Sequence, residues 1–287
     1  MRNNSYKSSR KSTLPTKIML IIIWVMILAV LGYMGYLFYN QAAALDSGSE
    51  TESDSGGINA TALVVVYDDS YDSVSPSFTL LNFNGESHEI SVAVIPSDAV
   101  CDTSAGKISL EKQYAYGGVV QAVDAVNSLC GIDIDYYAAI ECQNLQKVTD
   151  IMGAFDYDVP QDMKTKSSDG VIMCDIQKGL QSISAQQLTE YFRFDGWSAN
   201  ERAGQLSKLT AAMINAYSTE QTSAKITSLF SEIATDIETD VSIIQIGDLQ
   251  AEYAEFMVLK STAAEIEVST SGGVVDDSAL KELEKIF

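Results

Sequence analysis

Residues Ala62–Tyr67 read ALVVVY, an unbroken run of six hydrophobic side chains. A short continuous apolar run of this kind is typical of a strand that is buried on both faces of a sheet. Two more strand-like segments follow at Thr79–Phe83 and Glu89–Ile95, and Asn84-Gly85 between them is a strong hairpin signal. Pro96 marks the end of the third segment. Together the three segments predict the centre of a sheet.

Helical periodicity alternates with strand-like segments along the rest of the chain. Gly117-Gly118 opens a helical pattern that runs to Leu129, with Gly131 as a stop signal, and Ser184 is a favourable N-cap for a helix to about Tyr191. The pattern also predicts helices at Leu145–Met152, Leu206–Ile214, Ile226–Ile233 and Asp276–Phe287, and extended segments at Ile132–Ile140, Phe155–Val159, Val241–Ile246 and Phe256–Val268. This alternation predicts one α/β domain over residues 58–287, with a central sheet sandwiched by helices.

The composition is that of a globular chain with a large acidic excess. The 287 residues are 46% hydrophobic and 20% charged, and the formal net charge is -21. Because nucleic-acid binding requires a basic face, we expect no nucleic-acid partner. The single histidine, His88, argues against a histidine-based zinc site and against a Ser-His or Cys-His catalytic pair.

An uncharged segment of 22 residues, Ile18–Tyr39, precedes the predicted domain. At about 1.5 Å rise per residue, a helix of this length spans the ~30 Å hydrocarbon core of a bilayer. Residues 1–17 carry five bases and no acid, so the positive-inside rule places them in the cytoplasm as a basic tail. A cleaved signal peptide ending near Ala42-Ala43-Ala44 is the alternative, but signal h-regions are shorter, about 7–15 residues. We therefore predict an uncleaved, single-pass signal-anchor at residues 18–39 in the cell membrane.

The remainder of the chain would then lie outside the cytoplasm. Residues 40–57 form an acidic linker, rich in Ser and Gly, that cannot build a hydrophobic core. Beyond residue 17 the chain holds 13 bases against 39 acids, a net charge of −26. The extracytoplasmic domain at 58–287 is therefore strongly acidic.

Four cysteines, Cys101, Cys130, Cys142 and Cys174, fall in this domain. They allow three disulfide pairings, and the sequence does not choose among them. Export permits disulfides, whereas an anaerobic habitat would leave buried thiols. Because no CxxC occurs, the spacing does not predict zinc binding or thiol redox chemistry.

Five motifs in a fixed order, over roughly residues 62–217, resemble a known family. The first three are Val94–Asp98 (VIPSD), similar to S-I-P-R-D; Tyr114–Gly118 (YAYGG), identical to Y-A-Y-G-G; and Gly131–Tyr137 (GIDIDYY), similar to G-I-x-I-D-Y-Y. The fourth, Asp150–Pro160, keeps Asp150, Gly153, Val159 and Pro160 of VDALGGVDVxVP. The fifth, Gly179–Arg193, keeps the spacing of G-x-Q-x-L…Y-x-R. Behind an N-terminal anchor, this order resembles the LytR-CpsA-Psr (LCP) family.

The resemblance implies a central mixed sheet and an extracytoplasmic cell-envelope enzyme. Members of the family move glycopolymers, such as teichoic acids or capsule, from a polyprenyl pyrophosphate carrier onto peptidoglycan. The implied partners are thus a polyprenyl-linked glycopolymer and peptidoglycan, with the polyprenyl tail held in the apolar interior. Such a transfer depends on positioning and on neutralising the diphosphate, which suits arginine and carboxylate-held Mg²⁺.

Carried over by motif, the implied site consists of four residues. Asp98 would act in catalysis and as a Mg²⁺ ligand, and Arg193 would act in catalysis and bind the pyrophosphate. Arg202 and Lys107 would also bind the pyrophosphate. We expect the first three to face one cleft, with Lys107 near its rim.

The sequence departs from the family pattern where it would hold further arginines. Ser97 replaces the arginine of S-I-P-R-D, Asp195 replaces the second arginine of Y-x-R-x-R, and Gln205 replaces that of R-x-x-R-Q. The R-x-D-T strand start reads SPSFT at residues 75–79, and Lys107 is two positions out of register. The missing charges predict a degenerate active site, because the electrostatic stabilisation of a diphosphate is reduced.

Simpler roles compete at several of these positions. Arg193 and Arg202 could pair with the nearby acids Asp195 and Glu201, and Asp98 could cap a turn. Three acids after the first strand could hold a hard cation or lie in solvent, and they are Asp68, Asp69 and Asp72.

Two functions of different class therefore follow from the sequence. The first is a membrane-anchored glycopolymer phosphotransferase with altered phosphate contacts. The alternative is a non-catalytic lipid- or glycan-binding or scaffold protein of the cell envelope. The loss of arginines favours the alternative.

Overall fold

The computed structural model describes residues 59–71, 74–84, 87, 89–218, 236–240 and 262–287. The predicted anchor (18–39), the linker (40–57) and the elements predicted at Ile226–Ile233 and Val241–Ile246 lie outside these residues. Among the helices described, none is both long and apolar enough to cross a membrane.

The described strands are β1 (Asn59–Tyr67), β2 (Ser77–Asn84), β3 (Glu89–Ile95), β4 (Val100–Thr103), β5 (Gly106–Ser109), β6 (Tyr136–Glu141), β7 (Phe155–Val159), β8 (Met163–Lys166), β9 (Ile172–Ile176), β10 (Gly179–Ile183), β11 (Ile237–Thr239), β12 (Thr262–Ile266), β13 (Thr270–Ser271) and β14 (Val274–Val275). The described helices are α1 (Leu110–Cys130), α2 (Leu145–Met152), α3 (Ala185–Arg193), α4 (Ala199–Tyr217) and α5 (Asp277–Ile286).

The central sheet is mixed, with the described strands in the order β11-β6-β1-β2-β3-β12. β1 is parallel to β6 and antiparallel to β2, and β3 is antiparallel to β2 and parallel to β12. Every residue from Ala62 to Val66 is buried. The prediction that this segment forms a central strand covered on both faces is therefore confirmed.

Side chains of β1 alternate between two hydrophobic cores, as the pleat of a strand requires. Val64 and Val66 belong to the core that also contains residues of α2, α3 and α4. Leu63 and Val65 belong to the core that contains residues of α1 and α5. Helices thus cover both faces of a mixed sheet, as the sequence predicted.

Helix α1 begins earlier than the apolar pattern predicted. The pattern placed the start at Gly117-Gly118, whereas the helix spans Leu110–Cys130 with a break at those two residues. Gly118 has φ 66° and ψ −155°, which is a conformation that glycine adopts and other residues avoid. The turn before the break is held by the buried side chain of Gln113, whose amide donates to main-chain carbonyls of β4 and β5. Because glutamine gives no hydrophobic signal, this turn was missed.

The strand predicted at Ile132–Ile140 starts later in the structure, since β6 covers Tyr136–Glu141. Gly131 ends α1 in the left-handed conformation, with φ 68°. The main-chain N–H of Ile134 then donates to Asn127 Oδ1 at 3.1 Å, so a polar side chain of the helix holds the connecting segment.

Several other local predictions are confirmed. α3 follows Ser184, whose hydroxyl accepts from the N–H of Gln187 in a capping box. β2 and β3 form the predicted hairpin, with Asn84 opposite Glu89. The C-terminal helix predicted at Asp276–Phe287 is α5.

All four cysteines are buried and free, so the structure forms none of the three possible pairings. Burial raises the pKa of each thiol to about 12, against an ordinary value of 9.0. The folded chain therefore keeps these side chains protonated at neutral pH.

Candidate functional site

Arg202 is a buried cation in the first turns of α4, with 9% of its surface exposed. Its two terminal nitrogens donate to three main-chain carbonyls: Nη1 to Phe194 at 3.0 Å, and Nη2 to Phe192 at 2.6 Å and to Ser75 at 3.2 Å. Desolvation by burial lowers the pKa of Arg202 to about 10. The guanidinium thus joins the end of α3 to the segment that enters β2.

Arg193, at the end of α3, forms an ion pair with Asp68, which follows β1. Arg193 Nε donates to Asp68 Oδ2 at 2.5 Å, and the side chain of Asp68 has no exposed surface while that of Arg193 is 16% exposed. The ring of Tyr71 lies 5.0 Å from the guanidinium carbon. Burial opposes the charged form, but the hydrogen bond and charge of Asp68 outweigh it, so the pKa of Arg193 is raised above its ordinary value.

A small cleft, open to solvent, lies between the start of β2, the end of β3 and the first turns of α4. Ser77, Ser97 and Arg202 give it polar groups, and Val94 and Leu206 give it apolar walls. The structure therefore brings Arg202 together with Ser97, the residue that stands where the family motif has arginine. We call this feature the Ser97–Arg202 cleft.

Asp98 is exposed, and its carboxylate contacts a different element. Its Oδ1 accepts from the hydroxyl of Thr270 in β13 at 3.0 Å. Asn200, in the first turn of α4, accepts from the N–H of Thr270 and donates to its carbonyl, each at 2.8 Å. Within the described chain, Asp98 forms no ion pair with Arg193 or Arg202.

Lys107 is exposed in β5, directly opposite Asp102 in the β4–β5 hairpin. It is not among the residues that line the Ser97–Arg202 cleft. Of the ion pairs formed between described residues, none includes it. The geometry thus gives Lys107 no phosphate-binding contact, and its role stays a prediction.

Neither of the acids that the sequence predicted as partners, Asp195 and Glu201, forms an ion pair with Arg193 or Arg202 in the described part of the chain. Glu201 accepts from the main-chain N–H and the hydroxyl of Ser198 at the start of α4, so the proposed pairing with Arg202 was wrong. Asp68 takes the place that Asp195 was expected to fill beside Arg193. The idea that the acids after β1 all lie in solvent was also wrong, because the side chain of Asp68 is fully buried.

A metal site is not evident among the described residues. No group of three or more His, Cys, Asp or Glu side chains converges there. Asp98 offers one carboxylate, next to the hydroxyl of Thr270. These residues do not make a protein-held Mg²⁺ site, since Mg²⁺ would have to draw most of its oxygens from water and a bound phosphate. Mg²⁺ at Asp98 stays a prediction.

Cys142 lies close enough to Arg193 and Arg202 for both charges to affect the pKa of its thiol. Burial raises its pKa, and the charges of Arg193 and Arg202 both act in the opposite direction. Its thiol donates to the carbonyl of Thr189 in α3 at 3.4 Å. Both guanidinium groups therefore lie near one buried point beside α3, although only Arg202 lines the cleft.

The motifs and the fold agree with a comparison against known families. The model of the LytR_cpsA_psr family matches residues 53–283. The chain belongs to the LytR-CpsA-Psr family. The matched range includes all of the described strands and the first seven of the ten residues of α5.

Curated relatives match parts of this chain. TagV of Bacillus subtilis strain 168, a polyisoprenyl-teichoic acid–peptidoglycan teichoic acid transferase, is 24% identical over 193 residues, which are 63% of this chain and 49% of TagV. An uncharacterized protein of Staphylococcus aureus is 26% identical over 141 residues, 48% of this chain and 34% of that relative. The chain thus spans between about a third and a half of the length of these relatives.

Solved structures show the same fold. The crystal structure of B. subtilis TagV has a TM-score of 0.61 at 20% identity, covering 79% of this chain and 94% of that chain. A structure of TagT bound to LIIa-WTA has a TM-score of 0.58 at 16% identity, covering 83% and 92%. The central mixed sheet with helices on both faces is therefore an LCP fold.

Proposed function

We propose that this protein is a membrane-anchored cell-envelope member of the LCP family that binds a polyprenyl-linked glycopolymer and transfers it to peptidoglycan slowly or not at all. Family membership and the TagV and TagT relatives support the kind of ligand. The uncharged segment at 18–39 supports the anchor and the extracytoplasmic location of the domain. The contacts that Arg193 and Arg202 already make within the protein support slow transfer.

The observation that carries the proposal is that both arginines are already bonded within the protein. Arg193 is ion-paired to a fully buried carboxylate, and Arg202 donates both terminal nitrogens to main-chain carbonyls. A diphosphate that lies between them would have to compete with these contacts. Three of the five guanidinium N–H groups of Arg202 are already used, and the charge of Arg193 is already balanced by Asp68, so both arginines have less to offer phosphate oxygens than free side chains would.

The substitutions at Ser97 and Asp195 act in the same direction. Each removes a charge-assisted contact worth roughly 1.5–3 kcal/mol. Two such losses, even if only partly additive, weaken binding of a diphosphate by about two orders of magnitude or more. Asp195 also introduces a negative charge, which acts on Arg202. The stabilisation of a phosphoryl-transfer transition state is reduced by the same contacts.

Asp98, Arg193, Arg202 and Lys107 remain the candidate residues for whatever transfer survives. The Ser97–Arg202 cleft is the feature that could receive a phosphate group, and the apolar side chains of Val94 and Leu206 extend it toward the core. Mg²⁺ would assist by neutralising charge on the ligand.

The test measures binding and transfer separately, with the full chain in detergent. A polyprenyl pyrophosphate-linked glycopolymer and peptidoglycan are supplied with Mg²⁺. We expect the lipid-linked polymer to bind and little or no polymer to reach peptidoglycan. The Ser97→Arg/Asp195→Arg variant should bind the lipid more tightly than the natural chain. Transfer at a rate ordinary for the family, abolished by Arg193→Ala, would show that the site is intact and that the proposal is wrong.

A further inference from the structure

Six large hydrophobic side chains among the described residues are exposed, each over 48% or more of its surface. They are Tyr116, Val120, Val171, Ile172, Leu180 and Val274. All of them except Leu180 lie at one end of the central sheet. We call it the exit end, because β1 and β3, which are both antiparallel to β2, end there. The candidate site lies at the same end, since its residues follow these two strands in the sequence.

Tyr116 and Val120 flank the break in α1. The ring of Tyr114 lies 6.0 Å from the ring of the last residue of β1, so the turn that carries Tyr116 is at the exit end. The remainder of α1 runs toward the opposite end of the sheet. It leads to Asp135, whose carboxylate accepts from the N–H of Thr61, near the start of β1, at 2.8 Å. Val120, two residues after the break, therefore lies at the exit end as well.

Val171 and Ile172 lie at the tip of a two-stranded ribbon, in which β7 pairs with β10 and β8 pairs with β9. Helix α3 follows β10 and runs back along the ribbon, so that the N–H of Asp175 donates to the carboxylate of Glu190 at 3.1 Å. The tip is therefore level with the end of α3, where Arg193 forms its ion pair beside the end of β1.

Val274 reaches the exit end from a third element, the β13–β14 hairpin. Its neighbour Gly273 accepts from the N–H of Val100 at 2.7 Å, just beyond the end of β3. Leu180, by contrast, lies in β10, toward the other end of the ribbon. It is 77% exposed and supplies a matched control for the five side chains at the exit end.

Lysines accompany the exposed apolar side chains on two of these elements. Lys112 precedes Tyr116 by one helical turn, and Lys166 lies directly opposite Ile172 in the ribbon. Both lysines are exposed, and neither forms an ion pair with a described acid. Aromatic and aliphatic side chains with lysine beside them are typical of surfaces at a membrane–water interface, where the ammonium group reaches the head groups.

The length of the linker allows the exit end to face the bilayer. The 18 residues from 40 to 57 can extend to about 60 Å, at roughly 3.3 Å per residue. The nine residues of β1 span about 30 Å, so the linker is long enough to pass the whole sheet from the predicted anchor to the start of β1. An anchored domain also meets its own bilayer at a far higher effective concentration than it meets a soluble partner.

We propose that the exit end is a membrane-docking face, whose exposed apolar side chains enter the surface of the bilayer that anchors the chain. They are Tyr116, Val120, Val171, Ile172 and Val274. This inference rests on the proposed function, which supplies the anchor. Docking holds the Ser97–Arg202 cleft near the head groups, where a polyprenyl-linked ligand is presented. Because the chain beyond residue 17 has a net charge of −26, the contact depends on apolar burial and not on attraction to anionic lipids.

Spin-label depth measurements on the full chain in phosphatidylcholine vesicles test this contact. The four native cysteines are buried, so a single label can be attached to Tyr116→Cys, to Ile172→Cys or to the control Leu180→Cys. Collisions of the label with O₂, which concentrates in the bilayer, are compared with collisions with a water-soluble nickel chelate. We expect the labels at positions 116 and 172 to favour O₂ and the label at position 180 to favour the chelate.

A second measurement tests whether the exit end docks as one face. Val171→Ser/Ile172→Ser removes two apolar contacts and should shift the docking equilibrium about a hundredfold toward the undocked state. The label at position 116, on a different element, should then become accessible to the nickel chelate. Leu180→Ser removes a side chain that is also exposed, but it should leave the label at position 116 in lipid.

Every outcome bears on the inference. Labels that all favour the chelate, or that all favour O₂ equally, overturn it, and so does a label at position 116 that does not respond to Val171→Ser/Ile172→Ser. Dipolar broadening that weakens as the protein is diluted in the vesicles would assign the exit end to a second copy of the chain and overturn it too. Water-accessible labels on a chain that binds lipid-linked glycopolymer would refute the inference and leave the proposed function standing. Lipid-accessible labels at 116 and 172 on a chain that binds no such polymer would refute the proposed function alone.

Discussion

Removing either partner of the Asp68–Arg193 ion pair should destabilise the fold strongly. Breaking a buried pair typically costs about 3–5 kcal/mol, because the remaining charge is stranded away from water. The two partners are not equally buried: the side chain of Asp68 has no exposed surface, while that of Arg193 is 16% exposed. Arg193 also keeps the ring of Tyr71, a contact worth roughly 0.5–1 kcal/mol.

These differences predict an order of effects. Arg193→Met strands a fully buried carboxylate and should cost about 4 kcal/mol of the free energy of unfolding. Asp68→Asn keeps the shape and an acceptor oxygen and strands a partly exposed cation, so it should cost about 3 kcal/mol or less. Because the remaining charge is removed in the double variant, its loss should be at least 2 kcal/mol smaller than the sum of the single losses.

Chemical unfolding of the full chain in detergent, followed by tryptophan fluorescence, measures all four corners of this cycle. Lys164 and Asp175 supply a matched control, since they form an ion pair at 3.4 Å whose side chains are 64% and 50% exposed. A cycle of Lys164→Met and Asp175→Asn should give a coupling of about 1 kcal/mol or less. Equal couplings in the two cycles would refute the view that burial of Asp68 makes the difference.

Two further predictions concern the backbone and the thiols. Gly118→Ala should destabilise the chain by about 1–3 kcal/mol, because alanine avoids the backbone conformation at the break in α1. The control is Gly204→Ala, at a helical position with open space around the new methyl group, which should be neutral or stabilising. If thermal unfolding showed Gly204→Ala to be the more destabilising of the two, the geometry would be contradicted. The free energy of unfolding should also fall as the pH rises from 9 toward 12, because the unfolded chain loses thiol protons that the folded chain keeps. Urea unfolding at pH 8 and pH 10 checks this, and a variant with all four cysteines replaced by alanine should show a shallower fall.

Local sequence patterns predicted the fold well where a few neighbouring residues determine the local structure. The apolar run at Ala62–Tyr67 could only be covered on both faces, and Ser184 placed the start of α3 through its capping box. The start of α1 was missed because its stabilising residue, Gln113, is polar and becomes buried only when the β4–β5 hairpin folds against it. Helix propensity depends on the local sequence and therefore does not reveal such tertiary contacts.

The candidate site was less predictable because its contacts join distant parts of the chain. Asp68 and Arg193 are 125 residues apart, so no local spacing signals their pairing. The burial of Arg202, by contrast, did carry a signal. Leu206 and Leu209 lie four and seven residues further along the same helix, and both are buried. Arg202 thus shares the apolar stripe of an amphipathic helix, which places it against the core rather than in solvent.

That position explains why Arg202 would be kept whether or not the protein catalyses transfer. The carbonyls of Ser75, Phe192 and Phe194 all accept from its terminal nitrogens. Buried main-chain carbonyls require donors, so the side chain stabilises the junction of α3, α4 and β2 even without a ligand. The presence of Arg202 is therefore weak evidence for catalysis.

Replacing Arg202 by lysine tests this structural role. An ammonium group cannot reproduce the planar arrangement of donors, so Arg202→Lys should lower the free energy of unfolding of the ligand-free chain by about 2 kcal/mol or more. Lys208→Arg, at an exposed position of the same helix, is the control and should change it by less than about 0.5 kcal/mol. An unchanged unfolding midpoint for Arg202→Lys would show that the three carbonyl contacts of the guanidinium contribute nothing to the fold.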